Sequence, residues 1–494
     1  MAETKENQEH QERQEHILVR KFLAEHSLVE SNILSFNDFV ENRMQRIVGE
    51  VSGHLPSEDI KIELGKIRVE KPDIIEADGS KHPMLPAEAR LRNLTYSAPV
   101  FLEINVKKDS ESEHNEVEIG RIPIMVKSKY CHLHSMNKEQ LVEHYIDPAD
   151  PGGYFIINGN ERILVLLEDL ASNQPFSLKE KDKTLLRLFS QRGAYKIPTT
   201  IAESSDGLLE ISFSRFKGVP IIPLIKALGL VKDAEIASFV GKECDGLVVN
   251  LYEHTDLHSS TDAFKMIAEQ TSIQGTKKEI TDKVKARIDS YFLPHIGVRP
   301  EDRIEKAITL CKLVKQFFIA KENKAETDKD HYANKRVKLS GDLFSDLFRV
   351  NLTILIRDVL HNLQRLSKKK KIYSLRTLAK ATLFTHRIES AIATGSWIGE
   401  RTGVTQNMDK TNYLAILSRL QYVVSLLPSE QENFKARTLH PTHFGRFCPI
   451  ETPEGTPIGL RKNLALLSKI STAVQLDEEG FIDSLKEFGM RKKK

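Results

Sequence analysis

Arg437 to Leu466 reads RTLHPTHFGRFCPIETPEGTPIGLRKNLAL. Pro441, Pro449, Pro453 and Pro457 each fix φ, and Gly445, Gly455 and Gly459 permit close backbone approach. A segment built this way can be rigid without regular structure, and long irregular segments inside folded proteins are usually functional. His440, His443, Arg446, Glu451 and Glu454 stand on that frame. They suit contacts to phosphates and sugars, or to a partner's basic groups. Arg461, Lys462 and Asn463 follow directly and can hold a phosphate backbone. His440, His443 and Cys448 beside Glu451 also permit a Cys/His nucleophile. The density of Pro and Gly argues instead for a loop that positions polar groups.

Around this stretch lie 494 residues, too many for one ordinary core, so about three domains of roughly 100–200 residues are expected. Apolar residues make up 40% and charged residues 29%, which suits a water-soluble globular chain. No apolar run reaches the roughly 18 residues needed to cross a bilayer. The polar start, MAETKENQEHQERQEH, has no apolar core of a signal peptide. Cys131, Cys244, Cys311 and Cys448 are far apart and form no CxxC pair, so a reducing, cytoplasmic setting is expected. Net charge is only +3, and the basic runs Lys368 to Lys371 and Arg491 to Lys494 read first as solvated turns or tails.

Residues 1–16 read as a disordered lead-in. Leu34, Phe36, Phe39 and Val40 make the apolar face of a helix. Val100, Leu102, Ile104 and Val106 alternate as in a half-buried strand, and Ile119 to Val126 is a second strand with Pro123 at an edge or bulge. Gly152 to Leu167 reads as a hairpin turning at Asn158-Gly159. After Pro175 the pattern is mixed, up to about Pro300. Glu301 to Ala320 is an amphipathic helix with Ile304, Ile308, Cys311, Val314 and Phe318 on one face. Leu343 to Leu363 is another, aligned on Leu343, Leu347, Val350, Ile354 and Leu363, with a polar stretch from Lys321 to Lys338 between the two. An inserted middle segment of about 150 residues accounts for this layout.

Self-sufficient chemistry is hard to find. There is no phosphate loop, no GxGxxG and no HExxH. Asp328 and Asp330 are too few carboxylates for a two-metal site, and with His331, Lys335 and Arg336 following they read as structural ion pairs. Cys131, His132 and His134 lie too close along the chain to converge readily on one ion.

HPTHxGRxCPIETPEGxxIGL, from His440 to Leu460, resembles the hallmark of the large β-type subunit of multisubunit RNA polymerases. The resemblance extends over nearly the whole chain. Leu34 to Val40 (LSFNDFV) and Gly120 to Cys131 (GRIPIMVKSKYC) resemble the family's protrusion. Gly152 to Arg162 (GGYFIINGNER) resembles the stretch before its lobe, and Asp330 to Gly341 (DHYANKRVKLSG) the return from it. Ala393 to Gln406 (ATGSWIGERTGVTQ) resembles the approach to its fork. The flavour is archaeal and eukaryotic rather than bacterial. The family's intact subunit is more than twice this length, and the chain resembles the N-terminal half found where some archaea divide the subunit in two.

The resemblance implies an α+β multidomain chain with no single compact fold. Its parts would be protrusion (17–174 and 326–395), lobe (175–325) and fork region (396–494). It implies one wall of the DNA cleft and the fork beside the active centre of an enzyme that makes RNA from ribonucleoside triphosphates on a DNA template. This chain would bind no cofactor, because the catalytic magnesium sits on the largest subunit. Implied partners are the C-terminal half of the divided subunit, the largest subunit, other polymerase subunits, template DNA, nascent RNA and general transcription factors; no membrane is implied. Gln406 and Asp409 match the fork segment beside nascent RNA, which lines the rifampicin pocket in bacterial relatives. Arg437 matches a basic position nearby, Glu451 should lie close to the active centre, and Lys335 and Arg336 would face hybrid or template phosphates. His440, His443, Arg461 and Lys462 complete the implied wall. The sequence departs from the family after Leu417-Ser418, where HLRR is usual and Arg419-Leu420-Gln421-Tyr422 stands here. The Leu427 to Phe434 loop is also acidic rather than basic. A nucleic-acid-binding scaffold acting alone, and a stand-alone enzyme using the Cys/His/Glu cluster, are the competing readings.

Overall fold

The structure is a computed structural model that describes residues 16–18, 21–22, 27–52, 61–108, 111–180, 183–193, 195–241, 245–269, 276–368, 378–399, 401–472 and 478–490. Cys244 and most of the expected lead-in and of both basic runs lie outside these residues. Helices and several separate sheets fall into two compact units, Met1–Glu168 with Val337–Lys494, and Asp169–Arg336, so the chain is α+β and multidomain.

In the first unit, Glu30–Asp38 and Met44–Ser52 are α-helices joined by a π-helical turn, Phe39–Arg43. Phe36 and Phe39 point into an aromatic cluster with Phe155, Phe344, Phe348, Phe384 and Trp397, at ring separations of 5.2–6.4 Å. A three-stranded antiparallel sheet has Ser97–Lys108 at its centre, between Lys61–Val69 and Glu111–Pro123. Val100, Leu102, Ile104 and Val106 are all buried, as their alternation requires. Pro123 ends its strand, where a missing N–H costs no ladder bond.

The Asn158-Gly159 hairpin joins Phe155–Ile157 to Asn160–Leu164, with Ile157 opposite Asn160. Both turn residues have positive φ, +48° and +76°, the conformation a two-residue type I′ turn needs. Residues 396–494 do not stand apart. Thr405–Asn407 adds antiparallel to Asn160–Leu164, and Tyr422–Ser425 runs parallel to Leu166–Leu170 and antiparallel to Arg461–Asn463. The expected fork stretch is therefore built onto the first unit's own strands.

The second unit opens with a five-stranded antiparallel meander in chain order, from Pro175–Glu180 to Phe216–Pro220, and continues in helices up to Arg303–Glu322. It reaches beyond the expected 175–325 at both ends. Thr327 N–H donates to Ser177 O (2.8 Å) and Ala171 N–H to Asn334 O (2.8 Å), which ties the polar 326–336 stretch to the first strand and to the chain just before it.

Two helix faces differ from expectation. On Arg303–Glu322 the buried arc is Ala307, Leu310, Cys311, Leu313, Val314, Phe317 and Phe318, while Ile304 is 56% exposed and Ile308 half-buried. The small Ala307 marks this arc as surely as the larger residues do. On Ser340–Lys368, Leu343, Leu347 and Leu363 are buried as expected. Val350 and Ile354 flank a stripe centred on Phe344, Phe348, Leu352, Leu355, Ile356 and Val359.

Lys306 is fully buried on the Arg303–Glu322 helix, its ammonium donating to Asp289 O at 2.7 Å. The Asp289 carboxylate is taken by Arg303, at 2.7 and 2.5 Å. Burial pushes the Lys306 pKa down to about 8, against partial support from Asp289 and Asp302. Between about pH 8 and the ordinary lysine value the unfolded chain binds the proton and the folded chain does not, so folded stability rises with pH across that window. Lys306→Met should therefore stabilise the chain by about 1–3 kcal/mol near neutral pH, with the gain shrinking by about pH 9.5. Urea midpoints at the two pH values check this; no gain at neutral pH would show that the buried ammonium carries no net cost.

Candidate functional site

The Pro- and Gly-rich stretch is fastened mainly by its own hydrogen bonds. Arg437 closes a four-residue helix, Phe434–Arg437, and its guanidinium donates to the carbonyls of Ser429 (2.8 Å), Gln431 (3.0 Å), Ile458 (3.1 Å) and Thr456. One planar cation thus clamps the acidic 427–434 loop to the 456–458 turn. Gly459 makes the clamp possible: a Cβ there would sit 2.2 Å from Arg437 O, and its φ is +72°. Thr452 Oγ1 donates to Arg461 O and accepts from Gly459 N–H, both at 2.9 Å. His440 caps the Pro441–His443 turn, its Nδ1 accepting from Thr442 N–H at 3.2 Å. His443 is buried between the rings of His440 and Phe447, at 6.2 and 5.9 Å. Cys448 N–H donates to Asn463 O at 2.9 Å.

Beside this frame lies a polar cleft of about 300 Å³, lined by Asp409, Ala415, Ser418, Arg419, Tyr422, Glu451, Thr452, Pro453 and Asn463. Glu451 accepts from Ser418 Oγ at 2.6 Å, and Asn463 Nδ2 donates to Ser418 O at 2.8 Å. Asp409 Oδ1 accepts from the Thr411 hydroxyl (2.7 Å) and N–H (3.0 Å), bonds that hold its carboxyl below the usual range, with a smaller pull from Arg419. Arg419 donates to Gln406 Oε1 at 3.2 Å and lies 5.2 Å from the centre of the Tyr422 ring. At the departure from HLRR, then, Tyr422 supplies a ring against which Arg419 rests.

Of the expected residues, Asp409 and Glu451 line the cleft and Gln406 joins it through Arg419. Arg461 is half-buried on the Arg461–Asn463 strand, its guanidinium without a hydrogen-bond partner among the described residues. Three others are engaged with the chain itself. Lys462 faces inward, its ammonium 2.8 Å from Glu168, with both side chains under a tenth exposed. The pair sits on one face of the sheet, because Lys462 is opposite Val423, which is opposite Leu166, two residues before Glu168. His443 is packed inside. Arg437 spends its donors on carbonyls. Lys335 and Arg336 belong to the second unit. Lys335 is 3.4 Å from Asp330 and 5.2 Å from the Tyr332 ring, and Arg336 donates to Ala333 O and Lys335 O. Ser418, Thr452 and Glu168 were not foreseen. Ser418 comes from the Tyr413–Leu420 helix and Thr452 from the loop, and pairing across the sheet brings Glu168 beside Lys462.

The family described as RNA polymerase beta subunit matches residues 27–386, and that described as RNA polymerase Rpb2, domain 3, matches residues 406–470. The chain belongs to the family of β-type RNA polymerase subunits. It is 40% identical to the DNA-directed RNA polymerase subunit Rpo2N of Methanocaldococcus jannaschii, over 96% of this chain and 98% of that one. It is 39% identical to Rpo2N of Methanococcus vannielii, over 96% and 99%. Against subunit Rpo2 of Saccharolobus solfataricus it is 39% identical over 96% of its own length but spans only 43% of that longer relative. It thus aligns over nearly the full length of the Rpo2N chains, the N-terminal half of a divided subunit.

The buried pair gives a sharp test. Glu168→Gln or Lys462→Met alone strands a buried polar partner and should cost about 3–5 kcal/mol, whereas Glu168→Leu with Lys462→Met should recover most of it. Denaturant unfolding of the three variants checks this. A double variant as unstable as the singles would show that the pair is not an isolated unit.

Proposed function

We propose that this chain forms one wall of the nucleic-acid cleft and the fork beside the active centre of a cellular DNA-directed RNA polymerase. The first unit supplies protrusion and fork, and the second supplies the lobe. The observation that carries the reading is the cleft where Asp409, Arg419 and Glu451 meet inside the 406–470 stretch matched by the family's domain 3. The chain's contribution is positioning. The Arg437 clamp and Thr452 bonds hold the loop, Ser418 orients Glu451, and Gln406 with Asp409 faces the growing RNA. Asp409 and Glu451 each hold a hydroxyl donor, which suits positioning, and the catalytic magnesium would sit on the largest subunit, as the resemblance to the family implies. Template DNA and nascent RNA are the ligands, and Arg461 is the phosphate contact.

Leu439, Phe444, Ile450, Leu466 and Leu467 are exposed in the fork stretch, apolar area that the C-terminal half, the largest subunit and other polymerase subunits would cover. General transcription factors would dock on protrusion and lobe. Among the described residues no helix is long and apolar enough to cross a membrane. The assembly would work in the cytoplasm.

Two measurements test the reading. The native chain should co-purify with other polymerase subunits; recovery as a lone monomer would sink it. In the assembled enzyme on a DNA–RNA scaffold, Arg461→Ala should lower the slope of log affinity against log salt by about 0.7–0.9, the value for one lost phosphate contact. An unchanged slope removes Arg461 from the phosphate path.

A further inference from the structure

Glu161, at the end of the GGYFIINGNER stretch, lies outside the cleft, yet it gathers the chain that leads into it. Its side chain is 7% exposed and takes two cations, Arg90 Nε at 2.6 Å and Lys410 Nζ at 2.7 Å. Its own carbonyl accepts from Met408 N–H at 3.2 Å. The following residues continue the hold as a ladder, Arg162 opposite Asn407 and Ile163 opposite Gln406. Glu161 therefore brackets Asp409, with Met408 held by the backbone on one side and Lys410 by charge on the other.

The anchor is itself braced. Arg90 sits on the short Pro86–Leu91 helix, donates to the Tyr154 hydroxyl and lies 3.7 Å from Asp150. The hairpin turn is tied just beyond that helix by Gly159 N–H donating to Leu94 O at 3.0 Å. Lys410 is 58% exposed, so its pair with Glu161 adds little to global stability. What the pair controls is local: where the 406–410 segment lies.

We propose that Glu161 is a positioning residue for the Gln406–Asp409 segment, acting through Lys410 and the Met408 amide. Its effect on the reaction rests on the reading of that segment as the wall beside nascent RNA. The test uses the assembled polymerase with Glu161→Gln, Lys410→Met and the double variant. Because Lys410 is largely exposed, its replacement does not put folding at stake. Backbone amides of residues 405–411 should exchange about two- to fivefold faster in each single variant, the range an ion pair of this exposure supports. The double variant should be no faster than the faster single, since the Glu161–Lys410 pair is already gone in each single, Glu161→Gln losing the Arg90 pair as well. Short RNA should leave a stalled complex faster by a similar factor, with affinity for duplex DNA unchanged. Unchanged exchange in the singles, or additive effects in the double, overturns the proposal. Faster exchange with unaltered RNA release supports the positioning role and instead removes Gln406–Asp409 from the RNA's side.

Discussion

The first unit depends on one aromatic cluster. Phe36, Phe155, Phe344 and Trp397 come from four distant stretches of chain and are at most 6% exposed. Phe344 is the hub, at 5.4 Å from Phe36, 5.2 Å from Phe155 and 6.4 Å from Trp397. Burying each such ring stabilises the fold by about 1.5–3 kcal/mol, and each edge or tilted pair adds about 0.5–1.5 kcal/mol. These contacts can form only if the chain that departs at Glu168 comes back at Val337. The cluster is the reason a long insertion leaves the flanking halves as one body.

From that hub the candidate site follows by short steps. Phe155 opens the strand whose hairpin partner, Asn160–Leu164, pairs with Thr405–Asn407 and so delivers Gln406 and Asp409. Leu166–Leu170 pairs with Tyr422–Ser425, which in turn pairs with Arg461–Asn463. The polar wall is thus hung from strands rooted in an apolar core, and the charges behind it are spent on holding it. Arg437 and Lys462 act inward, on carbonyls and on Glu168, while Arg419 lines the cleft.

What could be read in the sequence follows the range of the physics involved. Local rules worked: Asn158-Gly159 specifies its turn, and Val100 to Val106 alternates because a strand does. The Pro- and Gly-rich loop could be identified as rigid, because φ restriction is a property of each residue alone. Lys462 could not be placed, since a lysine after an arginine reads as basic surface until Glu168, nearly three hundred residues away, is known to sit beside it. Ile304 misled for a similar reason. A helix face has a period, but which arc faces inward is decided by neighbours. Arg437 was marked as important, yet its partners are main-chain carbonyls, which leave no trace in residue identity.

The π-helical turn at Phe39–Arg43 bears on how this part of the chain can vary in length. Met44 N–H reaches back five residues to Phe39 O, so the turn holds one residue more than an α-helical turn would. Removing a single residue there would restore a regular α-helical turn, and the tighter winding would offset the lost residue. Met44, Ile47, Val48 and Val51 would then keep their buried side, whereas the same deletion in an unbroken α-helix would turn them by about 100°. Related chains can therefore lose one residue between Phe39 and Met44 and still pack the helix that follows.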